Sequence, residues 1–175
     1  DVDDTLRCVI VTGSGDKAFA AGADISEFPR LRATADQGYE YGKATELALT
    51  ALRTLKHPTI AMIQGACTGG GLEIAACCDL RIAAADARFG VPISKLGHAF
   101  AAPEMKPLLD LVGKALTLEL LLEGRILDAE EALRRGLVNR VVAVGDLARE
   151  VAETSQRIAA GDVAERLGGG ARELD

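Results

Sequence analysis

Glu73 stands three residues after Gly70, at the end of a run without bulky side chains: Gly65-Ala66-Cys67-Thr68-Gly69-Gly70-Gly71-Leu72-Glu73. A second small-residue run, Phe19-Ala20-Ala21-Gly22-Ala23-Asp24-Ile25, lies upstream. Such loops leave backbone N–H groups open to a ligand. Where a helix follows, its first N–H groups lack intrahelical acceptors and its dipole favours negative charge. Two such donors converging on one oxygen make an oxyanion hole. The spacing of three projects the Glu73 carboxyl about one turn along the helix face that starts at Gly70. Among Leu72, Ile74, Ala75 and Ala76 its pKa should rise, which suits a general base or acid near neutral pH. The same spacing also fits a Glu73 that caps its own helix.

Gly13-Ser14-Gly15-Asp16-Lys17-Ala18 follows a strand-like run and fits the dinucleotide-binding pattern, with Asp36 near the place of a ribose-binding acid. That site needs a helix opening at the second glycine. Ala20-Ala21-Gly22-Ala23-Asp24 interrupts any such helix, so a strand-to-loop turn is expected instead.

Each small-residue loop follows a strand. Residues 7–12 (RCVIVT) and 59–63 (TIAMI) are short apolar runs ending close to a glycine, and 80–83 reads as a third strand. Between the first two, residues 36–55 place Ala44, Leu47, Ala48, Ala51, Leu52 and Leu55 at helical spacing, and His57-Pro58 ends that helix. Residues 72–78 read as a short buried helix. Two further helices are expected over 103–112 and 115–122. Asp128, three residues before Glu131, marks a helix start that closes at Gly136. Residues 137–144 read as a strand end and 146–160 as a surface helix. Strands alternating with helices imply an α/β domain. Residues 1–144 are expected to form its core, and residues 145–175 a helix followed by a flexible glycine-containing tail.

Composition narrows the chemistry. The 175 residues carry 20 Lys plus Arg against 26 Asp plus Glu, a formal charge of −6, and aromatics make up 3%. Nucleic-acid binding is disfavoured by that charge and by the shortage of rings on which bases could stack. No stretch reaches the length of a membrane span, the first residues are acidic, and a cytoplasmic location is expected. Cys8, Cys67, Cys77 and Cys78 include no Cys-x-x-Cys pair, so buried reduced thiols are expected rather than disulfides or a metal site. The 19 glycines imply close backbone approach somewhere.

Three blocks, in order and correctly spaced, resemble the enoyl-CoA hydratase/isomerase (crotonase) superfamily: VIVTGSGDKAFAAGADISEF, HPTIAMIQGACTGGGLEIAACCDLRIAAADARFGVP and GRILDAEEALRRGLVNRVV. The resemblance implies a ββα spiral of the crotonase type, here without the N-terminal strands and C-terminal helices of longer members. It implies that the N–H groups of Ala23 and Gly70 bind an acyl-CoA thioester carbonyl, that Glu73 is one of two catalytic glutamates, and that Ala21, Asp24 and Ile25 line the CoA side. It further implies no cofactor beyond the coenzyme A thioester as substrate, no metal, and a homotrimer or dimer of trimers.

Two departures from the family pattern matter. The second glutamate of the hydratases is Ile93 here, and the acid that some relatives place eight residues further on is Ala101. Ile cannot transfer a proton. His98 and Glu104 are the nearest titratable replacements, and a crotonase-fold protein that binds acyl-CoA without turning it over is the alternative expectation. Isomerases of the superfamily generally keep the acid at the Ile93 position, so the retained Glu73 favours hydratase-type chemistry. The Lys that often follows Ile25 in relatives is Ser26, which leaves Arg30, Arg32 and Lys43 as candidate cations for the negative CoA.

Overall fold

A computed structural model of the protein describes residue 3, residues 5–92 and residues 102–161, with side chains in the last stretch from residue 104. Ile93, His98, Ala101 and the tail from residue 162 lie outside the described residues.

The first sheet is built from the apolar runs. β1 (Val9–Thr12), β3 (Thr59–Ile63), β5 (Leu80–Ala84) and β8 (Arg140–Val142) lie in the order β1-β3-β5-β8, all parallel, with Val9 opposite Thr59 and Ile60 opposite Leu80. Parallel sheets are covered on both faces, and the side chains divide accordingly. Ile60, Ile82 and Ala84 pack with Leu147 and Val151 of α6 (Leu147–Ala160). Their neighbours Ala61, Ile63 and Ala83 join the main core with Leu72 and Ala75 of α3 (Gly70–Cys77) and with Leu108, Leu116 and Leu120 of α4 (Ala102–Leu122).

A second sheet draws two of its four strands from the small-residue segments that read as loops. β2 (Ala18–Ala20), β4 (Ala66–Thr68), β6 (Arg88–Gly90) and β7 (Ile126–Asp128) lie in that order, parallel except for the antiparallel β6–β7 pair. Strands of three residues are too short to show a period, which is why the stretch after Gly13 read as loop. Residues 13–17 turn directly into β2, so no helix opens at Gly15 and the dinucleotide reading falls. The small residues permit the crossing. A Cβ on Gly71 would lie 2.2 Å from the Ala20 carbonyl oxygen, and one on Gly65, which holds φ +54°, would lie 1.9 Å from the Lys17 carbonyl oxygen.

The helices follow the sequence signals with one correction. Between β2 and β3 come a 3-10 turn at Ile25–Glu27, the short α1 (Phe28–Leu31) and α2 (Ala35–Arg53). Thr34 and Gln37 form a reciprocal capping box that starts α2. Leu47, read as part of the apolar stripe of α2, is 72% exposed, and Leu49 is the buried residue of that helix. The two helices expected over 103–122 are joined as α4 through a kink at Gly113, where φ is 74°. Asp128 caps α5 (Ala129–Arg134) by accepting from the Glu131 N–H at 2.7 Å, and Gly136 follows at φ 76°.

Arg81 fixes the C-terminal end of α3. Its buried guanidinium donates to the carbonyls of Ala75, Cys78 and Leu137, and its N–H donates to Asn139 Oδ1 at 2.8 Å. Nearby, Asp79 accepts from both the N–H and the hydroxyl of Thr59, at 2.7 and 2.8 Å. Sheet and helix are thus tied at the end of α3 opposite Gly70.

Candidate active site

The N-terminus of α3 meets the loop after β2. Gly69 precedes the helix at φ 53°, ψ −128°, a conformation reserved for glycine, and its N–H donates to the Gly90 carbonyl at 2.9 Å. A Cβ on Gly70 would lie 3.9 Å from the Ala23 nitrogen, and one on Gly22 would lie 3.9 Å from the Gly70 nitrogen. The loops are therefore in van der Waals proximity at the two amides that the sequence singled out. Neither the Ala23 nor the Gly70 N–H has an acceptor among the described residues.

These loops border a cavity of about 400 Å³. Ala21, Ala23, Ile25, Gly70 and Glu73 all line it. Asp24 does not. Its carboxylate accepts from the Ser26 N–H and hydroxyl, at 2.9 and 2.6 Å, and those bonds hold its pKa below the usual range while capping the 3-10 turn.

Glu73 is 5% exposed, and its carboxyl makes no hydrogen bond or ion pair with any described residue. It therefore does not cap α3. Burial, reinforced by the negative charge of Glu104, pushes its carboxyl up to about 7. A carboxyl poised there exchanges protons readily at neutral pH. Glu104, in the first turn of α4, lines the same cavity; of the two titratable residues considered for the place of Ile93, it is the one that lies among the described residues.

The opposite wall was only partly foreseen. Phe28, Arg32, Tyr41, Thr45, Ala48 and Leu49 line it, the last four from α2. Their spacing of 41, 45, 48 and 49 is itself a helical stripe; the apolar series read from the sequence shares Ala48 with it but not Tyr41, Thr45 or Leu49. Of the three candidate cations, Arg32 alone reaches the cavity. Arg30 pairs with Glu27 at 3.1 Å, and Lys43 lies by Glu40 over the ring of Tyr39. The four cysteines are free. Cys77 and Cys78 are buried, and burial raises their thiols to about 12 and about 11, so neither is a thiolate. No group of His, Cys, Asp and Glu suited to a metal occurs among the described residues, and none of their helices is long and apolar enough to cross a membrane.

A parallel sheet crossed by a sheet of short strands, with a helix N-terminus aimed at the crossing, is the ββα spiral of the crotonase fold. The structure superposes on that of an "enoyl-CoA hydratase/carnithine racemase" from Magnetospirillum magneticum with a TM-score of 0.89 at 49% identity, covering 91% of this chain and 60% of that one. It superposes on an enoyl-CoA hydratase from Bacillus anthracis with a TM-score of 0.85 at 34% identity, covering 91% and 61% of the two chains. Residues 1–166 match the enoyl-CoA hydratase/isomerase family model, and the chain belongs to that family. A crotonyl-CoA hydratase of Syntrophomonas wolfei is 39% identical over 166 residues, 94% of this chain and 63% of the relative. A short-chain-enoyl-CoA hydratase of Clostridium acetobutylicum is 38% identical over 156 residues, 89% and 59% respectively. The chain thus spans about three-fifths of the length of these relatives.

Proposed function

We propose that the chain acts as an enoyl-CoA hydratase-like enzyme, adding water to, or removing it from, an acyl-CoA thioester. The reading rests on one juxtaposition. A buried carboxyl without an ion pair shares a cavity with two adjacent loop amides that have no acceptor among the described residues.

In this reading the Ala23 and Gly70 N–H groups donate to the thioester oxygen, which gains charge as water adds to the β-carbon and an enolate forms. Each preorganised donor of this kind is worth about 3 kcal/mol in the transition state. Glu73, as carboxylate, takes a proton from the attacking water. A second acid must deliver a proton to the α-carbon. Ile93 cannot, and Glu104 is the carboxyl within reach of the same cavity. Ala21 and Ile25 form the exposed rim where the coenzyme would leave the cavity, and Asp24 shapes that rim by capping the turn. Water and thioester supply every atom, so the reaction calls for no cofactor or metal. The assembly we propose is a homotrimer or dimer of trimers, and the location cytoplasmic.

The test is incubation with a short trans-2-enoyl-CoA, following loss of the conjugated thioester absorbance, with Glu73→Gln as control. Loss well above the control supports hydration. A second reading, acyl-CoA binding without turnover, is favoured by Ile93. It predicts no loss of absorbance together with measurable acyl-CoA binding.

A further inference from the structure

Arg32 is the one cation among the described residues that line the cavity, and no described carboxylate neutralises it. Its guanidinium carbon lies 4.7 Å from the centroid of the Phe28 ring and 4.9 Å from that of Tyr41, and the two rings meet edge to face at 6.1 Å. Rings attract a cation through their quadrupoles and orient it, yet they do not cancel its charge. No carboxylate among the described residues pairs with Arg32, whereas Arg30 and Arg53 each have one. The guanidinium is half-buried, and its planar fork matches a carboxylate. The Tyr41 and Thr45 side chains continue the polar wall beside it, while Leu49, Ile74 and Val91 make the rest of the lining apolar.

We propose that Arg32 recognises a carboxylate carried by the acyl group, so that this cavity takes thioesters of dicarboxylic acids in preference to plain fatty acyl chains. The proposal rests on the acyl-CoA reading above. It assigns Arg32 to the acyl end because Arg32 lines the same cavity as Glu73 and Gly70, where the reacting carbons of the acyl group must lie, whereas Ala21 and Ile25 are exposed. The nucleotide must therefore lie outside, beyond the exposed rim at Ala21 and Ile25. A preformed cation held between two rings binds an incoming carboxylate with little ordering cost, and a charge-assisted pair of this kind changes affinity about tenfold to a hundredfold.

The experiment is calorimetric titration of the full chain with saturated acyl-CoAs that undergo no hydration: succinyl-, glutaryl- and adipyl-CoA against butyryl-, pentanoyl- and hexanoyl-CoA. The wild-type chain should bind at least one dicarboxylic thioester about tenfold or more tighter than its matched monocarboxylic partner, with a preference that weakens as salt is added. Arg32→Met should abolish the preference by weakening the dicarboxylic thioesters far more than the monocarboxylic ones, while Arg32→Lys should keep part of it. Circular dichroism checks that the variants fold. If Arg32→Met does not fold, the wild-type preference and its reduction in Arg32→Lys decide the matter. Equal binding of both series by the wild-type chain overturns the proposal and leaves the acyl-CoA reading standing. Equal weakening of both series in Arg32→Met also overturns it, by assigning Arg32 to a phosphate of the coenzyme. Failure to bind any thioester removes both readings together.

Discussion

Glu73 and Glu104 border one cavity from two different helices, and the charge of Glu104 adds to burial in raising Glu73 to about 7. A negative charge on Glu104 thus makes ionising Glu73 harder.

The first prediction concerns pH. If Glu73 acts as the base, kcat/KM for hydration should rise through an apparent pKa near 7. Replacing Glu104 by Gln removes a like charge and should move that limb to lower pH. A pH–rate profile of both forms checks this, and an unmoved limb would show that Glu104 does not act on Glu73.

Glu73 also carries a stability signature that needs no substrate. Its folded pKa, about 7, lies above the ordinary 4.5, so the folded state binds the proton more tightly than the unfolded chain does. Its contribution is fully present below pH 4.5 and is lost as pH rises through 7. The loss is on the order of 3 kcal/mol from a shift of this size. Glu73→Gln should therefore gain stability relative to wild type as pH rises over that window, measured as the difference between urea-unfolding midpoints at successive pH values.

Much of this site was legible in the sequence, for reasons that differ from residue to residue. Glu73 could be found because a lone carboxyl in an apolar run is chemically conspicuous, and its raised pKa follows from its neighbours. Gly70 could be found because a glycine run opening a helix exposes N–H groups. The second sheet could not, since β2 and β4 are three-residue strands whose pairing is set by tertiary contact at Gly65 and Gly71 rather than by any local period. The wall of α2 was misread for a related reason. Leu47 is exposed and Leu49 is the buried residue of that helix, so the apolar series finds the inward face only at Ala48 and Leu52 and omits Tyr41 and Thr45.

Gly70 allows the amide to be tested apart from the carboxyls. It is the first residue of α3, the helix position where proline is best accommodated and where the missing N–H breaks no helical bond. Gly70→Pro should thus fold while losing the donor, with kcat falling about 10²–10³-fold. Gly70→Ala keeps the N–H and places its methyl at an ordinary 3.9 Å from the Ala23 nitrogen, so it should retain far more activity. Comparable activity in the two variants would remove Gly70 from the oxyanion site.

Gly71, one residue further, should behave in the opposite way. A methyl group there would meet the Ala20 carbonyl oxygen at 2.2 Å and the Ala20 Cβ at 2.8 Å, and no flexible side chain can move to make room. Relief requires α3 to back away from β2, at about 1–3 kcal/mol or more for overpacking a buried contact. Because Ala23 follows β2 and Gly70 begins α3, the same displacement separates the two amides. Gly71→Ala should therefore lower the unfolding midpoint and the hydration rate together, whereas Gly70→Pro lowers the rate with the midpoint nearly unchanged. Thermal unfolding and initial rates measured on both variants distinguish a lost donor from a lost crossing of the two elements.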